Sequence, residues 1–289
     1  KPELPTAEQI VGEYSADKLQ VEVDGKIVAD AKIDVISGTD NSLSAKLYNI
    51  IPGIAEYTMP VTFEALSRSA YISILKGSVV DNVIGYEVNL EGAIDNKVLT
   101  AKVTTKEIVG EPIAPEQFIG VRFKGNMNIS VAGGGEPVAV EQTVYITKTA
   151  TEDPNTFCLN INDFSFEGLS LGNIKLDSVA VVKRGENVYG FSAEGCKLYL
   201  DGDLPMEVTL DVQGAIVDNN MMTMNLTIDA SGLKVNVAFE GKEYVGFTMD
   251  KWSNVKVSKY TFEEPLYMTT SNEAVTNFPA LALFGLKLD

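Results

Sequence analysis

The sequence predicts an all-β protein made of two tandem antiparallel meander β-barrels with a C-terminal β extension. Two observations indicate strands: apolar and polar residues alternate with a period of two, and turn-forming dipeptides separate the alternating segments. A third observation, a long internal repeat, indicates two such domains. The segments Leu19–Val23 and Leu233 to Val237 are typical, because each presents one apolar and one polar face. Two β-sandwiches are the alternative, since they show the same alternation.

The turns predict that consecutive strands pair as antiparallel hairpins. Asp24-Gly25, Asp95-Asn96 and Asp218-Asn219 are residue pairs that tolerate the positive φ of tight hairpins. A meander of this kind satisfies its two edge strands most simply by closing into a barrel, which favours the barrel over the sandwich.

The repeat begins with residues 8–12 (EQIVG), which return as residues 116–120 (EQFIG), an offset of 108 (116 minus 8). Farther along, Lys76-Gly77 matches Arg184-Gly185, and residues 92–94 (GAI) match residues 214–216 (GAI). The last offset is 122 (214 minus 92), so the second copy is expected to carry an extra hairpin or an extended loop between Gly185 and Gly214. A repeat of this length indicates duplicated domains rather than a solenoid.

The repeat sets the predicted domain boundaries. Residues 1–112 form the first barrel, residues 113–230 form the second, and residues 231–289 form a β extension that completes or bridges the barrels. Pro112 and Pro115 mark the joint between the domains. Each barrel opens with a helical turn, the first capped by Thr6 and the second started by Pro115.

These features resemble the calycin-like β-barrel family of gut-bacterial cell-envelope lipoproteins. The likeness rests on the EQ-apolar-apolar-Gly opening, the strand and glycine turn after it, and the Gly-Ala-Ile segment near the end of each copy. The resemblance implies lipocalin-type barrels, often in tandem, on an exported and lipid-anchored protein. It implies no catalytic residues, and the function within the family is uncharacterised.

Composition excludes several functions. The chain has no histidine among its 289 residues, which removes Ser-His-Asp and Cys-His catalysis and histidine zinc sites. The net charge is −17, so nucleic acid would be repelled over most of the surface. No window is apolar enough to span a membrane, and no cofactor or metal site is predicted. The chain is expected to be no enzyme, with a glycosidase that uses carboxylates alone as the remaining alternative.

A few residues are candidates for a site. Trp252, Met222 and Met224 are predicted to line a ligand pocket, although packing in a core explains each of them as well. Cys158 and Cys196 are either a disulfide or two free thiols, depending on whether their strands are neighbours. Glu87, Glu91 and Asp95 are the carboxylates considered for catalysis, and a solvated strand face explains them better.

The predicted function is non-catalytic binding of a small apolar or glycan-like ligand by an exported cell-envelope protein. A scaffold that binds a cell-surface partner protein, without a small-molecule ligand, is the alternative. A roomy barrel interior favours binding, whereas packed interiors favour the scaffold. The predicted location is the periplasm or outer-membrane surface of a Gram-negative bacterium, with a lipid anchor before residue 1.

Overall fold

A computed structural model of the chain describes residues 6–38, 42–65, 72–131, 136–166, 168–203 and 205–244 in full. It also describes the backbone of residues 248–252, 256–257, 260–261 and 266–270. The chain divides into two compact units, residues 1–243 and 244–289. The first unit contains the two large sheets described below.

The first large sheet follows a single turn of helix. Helix α1 is Ala7–Ile10, and a 3-10 turn spans Ala16–Lys18. The strands are β1 Gly12–Ser15, β2 Leu19–Val23, β3 Lys26–Ile27, β4 Lys32–Ser37, β5 Leu43–Tyr48, β6 Glu56–Ala65, β7 Ser73–Asp81, β8 Tyr86–Asp95 and β9 Val98–Glu107. They are ordered β1-β4-β5-β6-β7-β8-β9-β2-β3 in a sheet that curls into a half-barrel. We call residues 6–107 the half-barrel.

One pairing in the half-barrel departs from a pure antiparallel meander. The 3-10 turn interrupts the opening strand, with Ala16 at φ 49°, and divides it into β1 and β2. Strand β1 pairs antiparallel with β4, whereas β2 pairs in parallel with β9, Leu19 opposite Leu99. Consecutive strands of a meander alternate in direction. When β1–β2 and β3–β4 are each counted as one strand, the half-barrel has seven strands, so the last strand runs in the same direction as the first and the two pair in parallel.

The second large sheet is preceded by a two-residue strand and a 3-10 turn at Glu116–Phe118. Its strands are β10 Glu111–Pro112, β11 Arg122–Val131, β12 Val138–Lys148, β13 Thr156–Phe166, β14 Leu169–Lys183, β15 Val188–Leu200, β16 Met206–Val217, β17 Met221–Ala230 and β18 Leu233–Glu243. Strands β11 to β18 pair consecutively and antiparallel, and β18 pairs with β11 to close an eight-stranded barrel. We call residues 111–243 the closed barrel.

The fold class predicted from the sequence is confirmed, and the sandwich alternative is not what the chain adopts. Two of the three hairpin dipeptides act as expected, since Asp24 and Gly25 have φ of 50° and 82°, and Asp218 and Asn219 have φ of 50° and 58°. At the third, the positive φ values lie one residue later than predicted, at Asn96 (49°) and Lys97 (67°). The boundary at residue 230, however, falls between β17 and β18, inside the closed barrel. Strand β18 therefore supplies the closing strand, and nothing in its local sequence distinguishes it from an appended strand.

The register corrects one match of the repeat. Leu75 lies opposite Gly92 in the half-barrel, and Phe191 lies opposite Gly214 in the closed barrel. The equivalent strands are therefore β7 and β15, whereas Arg184 lies in the turn before β15 and cannot correspond to Lys76. The expected extra hairpin before Gly214 is also absent from the described residues. The offset is already 116 at Phe191 (191 minus 75), so eight of the fourteen extra residues lie before this point, and the other six lengthen β15, β16 and the turn between them.

Both sheets enclose packed cores. Five fully buried phenylalanines fill the closed barrel: Phe118, Phe123, Phe157, Phe164 and Phe191. The half-barrel core has no buried phenylalanine in its described residues and consists mainly of aliphatic side chains such as Leu47, Leu75 and Leu99. The two cores form separate clusters, so each sheet buries its own apolar face.

The barrels meet where the half-barrel turns between β7 and β8. The Arg184 guanidinium lies against Gly85 of the half-barrel and Gly190 of the closed barrel, and a Cβ at either glycine would overlap it. Nearby, Gln213 Nε2 donates a hydrogen bond of 3.1 Å to the Pro52 carbonyl. These contacts cover the end of the half-barrel at which β8 begins, and they leave the opposite end, where β8 turns into β9, away from the closed barrel.

The second unit contains short strands. Strand β19 Thr248–Trp252 pairs with β22 Leu266–Thr270, and β20 Lys256–Val257 pairs with β21 Tyr260–Thr261. The apolar segment from Phe278 to Phe284 lies outside the described residues.

Candidate functional site

The candidate site lies where the half-barrel leaves its opening strand unpaired on one side. Strand β1 pairs with β4 but has no second partner in the described residues, because β9 pairs with β2 instead. A cavity of about 640 Å³ lies along this edge, between β1 with helix α1 on one side and the β8–β9 turn on the other. We call it the seam pocket. Its lining residues are Glu8, Gln9, Ile10, Val11, Gly12, Glu13, Tyr14, Lys18, Ser73, Ile94, Asn96 and Lys97.

Four of these residues are buried and form the inner wall: Ile10, Tyr14, Ser73 and Ile94. The Tyr14 hydroxyl donates a hydrogen bond of 2.7 Å to the Ile10 carbonyl, and burial raises the pKa of this tyrosine. The inner wall is thus mainly apolar. Its hydroxyl groups are those of Tyr14, which has a partner, and of Ser73.

Ser73 is the unusual member of the inner wall. Its side chain is 1% exposed, and its Oγ has no hydrogen-bond partner within the described part of the chain. The alternation of β7 turns Ser73 to the same face as the core residue Leu75. A buried hydroxyl without a partner costs about 1–3 kcal/mol, and the Ser73 Oγ has almost no accessible surface toward the cavity.

The rim of the pocket carries charges of both signs. Lys32 Nζ lies 3.0 Å from Glu13 Oε2, and this hydrogen-bonded ion pair lowers the pKa of Glu13 and raises that of Lys32. Lys18 and Lys97 stand at the rim as well, with Glu8 as the other rim carboxylate. The rim residues Glu8, Glu13, Lys18 and Lys97 are exposed, whereas Lys32 is half-buried and does not line the pocket itself. Water screens the exposed charges, and they contribute little to the inner wall.

The closed barrel shows what the same position looks like when it is filled. Ser73 lies opposite Ile94 across β7 and β8, and Tyr189 lies opposite Ile216 across β15 and β16. Because Ile94 and Ile216 are matched residues of the repeat, Ser73 and Tyr189 occupy equivalent positions. The half-barrel thus has a serine where the closed barrel has a tyrosine.

A second substitution lies beside the same position. Ile10 and Phe118 are matched through the EQ opening, and both are buried in the turn that enters the first strand. In the closed barrel, Phe118 and Tyr189 pack edge to face, with ring centroids 5.1 Å apart and planes at 69°. The half-barrel replaces this aromatic pair by isoleucine and serine, and the seam pocket lies beside them.

The two methionines predicted from the sequence as ligand residues lie outside the seam pocket. Met222 and Met224 are 0% and 1% exposed in the filled core of the closed barrel, on the same face as Leu226. The side chain of Trp252 lies outside the described residues. The seam pocket was missed because an isolated serine in a strand has no local signal. Aligning the two copies by strand register would have revealed it, since Ser73 is then equivalent to Tyr189.

The cysteines are free thiols in the structure. Cys158 lies on β13 and Cys196 on β15, and β14 separates these strands, so the condition for an intradomain bridge is not met. Burial raises the pKa of both thiols.

The outer face of the half-barrel carries the carboxylates considered for catalysis. Glu87, Glu91 and Asp95 follow one another on β8, and Glu91 lies opposite Lys76 and Lys102 on the neighbouring strands. A surface groove of about 990 Å³ borders this face. The groove is lined by carboxylates and lysines that alternate across the strands, as on a solvated charged face, and also by apolar side chains such as Ile27, Val28 and Ile74. Within the described ranges there is no group of three or more His, Cys, Asp or Glu side chains that could hold a metal ion.

A family comparison agrees with the geometry of the closed barrel. Residues 119–242 match the model of the calycin-like beta-barrel domain, a range that runs from the 3-10 turn almost to the end of β18. These residues form a calycin-like β-barrel domain. The match includes β18, which supports the assignment of this strand to the barrel rather than to an extension.

Other comparisons add little about this chain. No curated protein matches it. Among solved structures, it is similar to a Bacteroides fragilis protein described as a "putative outer membrane protein", with 15% identity over 82% of this chain and 98% of that chain and a TM-score of 0.35. A similarity this low carries no argument about this chain. In the described residues, no helix has the length and hydropathy needed to cross a membrane.

Proposed function

We propose that the protein binds a small molecule in the seam pocket, without catalysis, as an exported component of a bacterial cell envelope. The observation that carries the proposal is the cavity of about 640 Å³ along the edge of β1 that has no strand partner in the described residues. Ligand pockets usually measure about 300–1,000 Å³ and combine apolar walls with a few polar groups. The seam pocket fits this description.

The two barrels have different roles in this proposal. The half-barrel holds the ligand, while the closed barrel is filled by aromatic side chains and supports the half-barrel through Arg184 and Gln213. The filled interior also favours the second candidate function, a scaffold that binds a partner protein of the envelope. In that case the seam pocket would have no ligand, and the outer faces would carry the activity.

Export and envelope location rest on the calycin-like domain at residues 119–242. The resemblance to cell-envelope lipoproteins supports a periplasmic or surface location with a lipid anchor. Absence of catalysis is proposed on the same basis, and because the seam pocket brings no pair of converging carboxylates to its inner wall.

Native mass spectrometry tests the proposal. The chain is purified from a bacterial expression host, and a second sample is purified again after incubation with an extract of a gut bacterium. The mass of each sample is compared under gentle and denaturing conditions. The control is the double variant Ile10→Phe with Ser73→Tyr, which places the closed barrel's own aromatic pair in the seam pocket. An adduct on the wild type that the double variant lacks supports the proposal. An adduct of equal occupancy on both, or none from either source, contradicts it and favours the scaffold.

A further inference from the structure

A second cavity lies between the two barrels, at the end of the half-barrel opposite the seam pocket. It measures about 230 Å³ and is bounded by the β5–β6 loop, residues 49–55, and by the outer face of β17 and β18. We call it the inter-barrel cleft. It shares no lining residue with the seam pocket, so a function that it carries is separate from the proposed function.

The polar side chains of the cleft are all uncharged. They are Asn49 on the loop, Asn225 and Thr227 on β17, and Asn236 on β18. Among the described residues, no acidic or basic side chain lines the cleft, although 22% of the chain is charged. An ionised ligand would lose hydration there without gaining a counter-charge. The cleft thus favours a neutral ligand.

These four side chains are accessible from the cleft. Strand alternation turns Leu226 and Val237 into the core of the closed barrel, where they are 1% and 2% exposed, and it turns the residues beside them outward. The three polar residues of β17 and β18 are half-buried, and Asn49 is exposed. A ligand in the cleft can therefore reach their polar atoms.

Much of the hydrogen-bonding capacity of these side chains is unused. Thr227 lies directly opposite Asn236, and its hydroxyl donates a hydrogen bond of 3.4 Å to Asn236 Oδ1. Within the described residues, the side-chain amides of Asn49 and Asn225 make no hydrogen bond. Each amide offers two donors and one acceptor oxygen. An apolar ligand would cover these groups and leave them unpaired, which costs free energy.

Hydrogen bonds hold the loop side of the cleft in place. The Asn49 N–H donates to the Ala55 carbonyl at 3.0 Å, which closes the loop on itself. Gln213 of the closed barrel donates to the Pro52 carbonyl at 3.1 Å, which ties the loop to the other barrel. Walls that are fixed in advance lower the conformational entropy lost on binding.

The size of the cleft limits the ligand to one small ring. A volume of about 230 Å³ corresponds to about seven water molecules. A neutral molecule that carries several hydroxyl groups can pair with several amides at once, because each hydroxyl both donates and accepts. Sugar rings have this composition, and their C–H groups can pack on the exposed Pro52.

We propose that the inter-barrel cleft binds one ring of a neutral sugar, with the sugar hydroxyls on the amides of Asn49 and Asn225 and on the Thr227–Asn236 pair. The protein then has two sites of different chemistry, a mainly apolar wall in the seam pocket and amides in the cleft. The sugar site needs both barrels, since the loop comes from one and the strands from the other.

Probes of one-ring size test the chemistry of the ligand. The methyl glycosides of glucose, galactose and mannose are neutral, glucuronate is anionic, glucosamine is cationic, and cyclohexanol is a ring with a single hydroxyl. Binding to the full chain is followed by ligand-observed NMR. We expect at least one neutral glycoside to bind about 5-fold or more tightly than the other three probes, the effect of one hydrogen bond gained or lost.

Variants of Asn225 test the position of the site. Asn225→Ala is expected to weaken binding of the neutral glycoside about 5-fold or more. Asn225→Asp keeps the shape of the side chain and adds a negative charge, so it should shift the preference to glucosamine, which a merely structural role would not do. The matched control is Asn126→Ala, which removes an exposed amide of β11 outside the cleft and should leave binding unchanged.

The outcomes separate this proposal from the proposed function. Binding of no neutral glycoside, tightest binding of another probe, or a glycoside affinity that Asn225→Ala leaves unchanged overturns the sugar site. The Ile10→Phe, Ser73→Tyr variant should keep glycoside binding, because it changes the seam pocket alone. Loss of the glycoside in that variant would place the sugar in the seam pocket, which overturns the inter-barrel site and supports the proposed function.

Discussion

The half-barrel and the closed barrel solve the same packing problem differently. The closed barrel has an uninterrupted opening strand, β11, and a further strand, β18, that pairs with it along nine residues. The half-barrel breaks its opening strand at Ala16–Lys18 and lacks an equivalent of β18 in the described residues, so its last strand pairs in parallel with β2 and leaves β1 with a free edge. The seam pocket lies in the half-barrel because, in the described residues, no strand equivalent to β18 pairs with the free edge of β1 there.

The two copies also differ in the side chains beside the seam pocket and at the equivalent position of the closed barrel. Where the chain closes, an aromatic pair fills the space; where it stays open, a serine and an isoleucine line a cavity. Under the proposed function, one copy keeps a filled core for stability while the other gives up packing for binding.

Opening the closed barrel should cost the most. The double variant Phe118→Ile with Tyr189→Ser removes two packed rings and should lower the free energy of unfolding by about 3–5 kcal/mol, measured in urea. The exchange in the opposite direction, Ile10→Phe with Ser73→Tyr, should raise it by about 0.5–2 kcal/mol. Equal and small effects in both directions would show that the two positions are not filled and unfilled versions of one another.

The β11–β18 pair that closes the second barrel should be sensitive to a single added methyl group. Gly125 lies opposite Gly241, and a Cβ at Gly125 would overlap the carbonyl of Glu240. Gly125→Ala should therefore cost about 1–3 kcal/mol in urea unfolding. The control is Gly195→Asn, at a φ of 62° that asparagine tolerates and with no atom within 4 Å of its Cβ. If both variants keep wild-type stability, β11 and β18 do not approach as closely as described.

Coupling between the barrels should depend on Arg184. Its guanidinium is packed between Gly85 and Gly190, and burial lowers its pKa while Glu107 opposes the shift. Arg184→Ala removes this packing and should cost about 1–2 kcal/mol, so that calorimetry resolves one unfolding transition into two. The neighbouring exposed residue provides the control, and Lys183→Ala should leave the thermogram unchanged. A single sharp transition in both variants would mean that Arg184 does not couple the barrels.

The two cysteines should differ in how fast they react with a thiol reagent. Cys158 is fully buried and Cys196 is partly exposed, and burial raises the pKa of both. Because the thiolate is the reactive form, labelling with a disulfide reagent should be slow at pH 7 and accelerate above pH 9, with Cys196 reacting first. Substituting each cysteine by serine in turn identifies the faster thiol. Equal rates for the two would contradict the burial described.

The sequence was sufficient for the fold because the period of two and the hairpin dipeptides are local signals. Asp24-Gly25 and Asp218-Asn219 form the tight turns expected of them. Closure is different, since the β18–β11 and β2–β9 pairs join residues far apart in the chain, and no local pattern specifies them. The end of the repeat at Ala230 therefore misplaced the domain boundary.

The candidate site was out of reach for a related reason. Met222 and Met224 have the composition of an adaptable pocket, but their strand lies in the barrel that is already filled. Ser73 is one of many serines, and it becomes informative only when the strand register shows that it is equivalent to Tyr189. Matching Lys76 with Arg184 along the sequence concealed that equivalence.

Xenon binding in crystals tests whether the half-barrel offers an apolar cavity that the closed barrel lacks. Xenon occupies apolar cavities without requiring hydrogen bonds, so it reports space rather than chemistry. The account predicts a xenon site against Ile10, Tyr14 and Ile94 in the wild type, its loss in the Ile10→Phe, Ser73→Tyr variant, and none inside the closed barrel. Xenon within the closed barrel, or its absence from the seam pocket, would contradict the account.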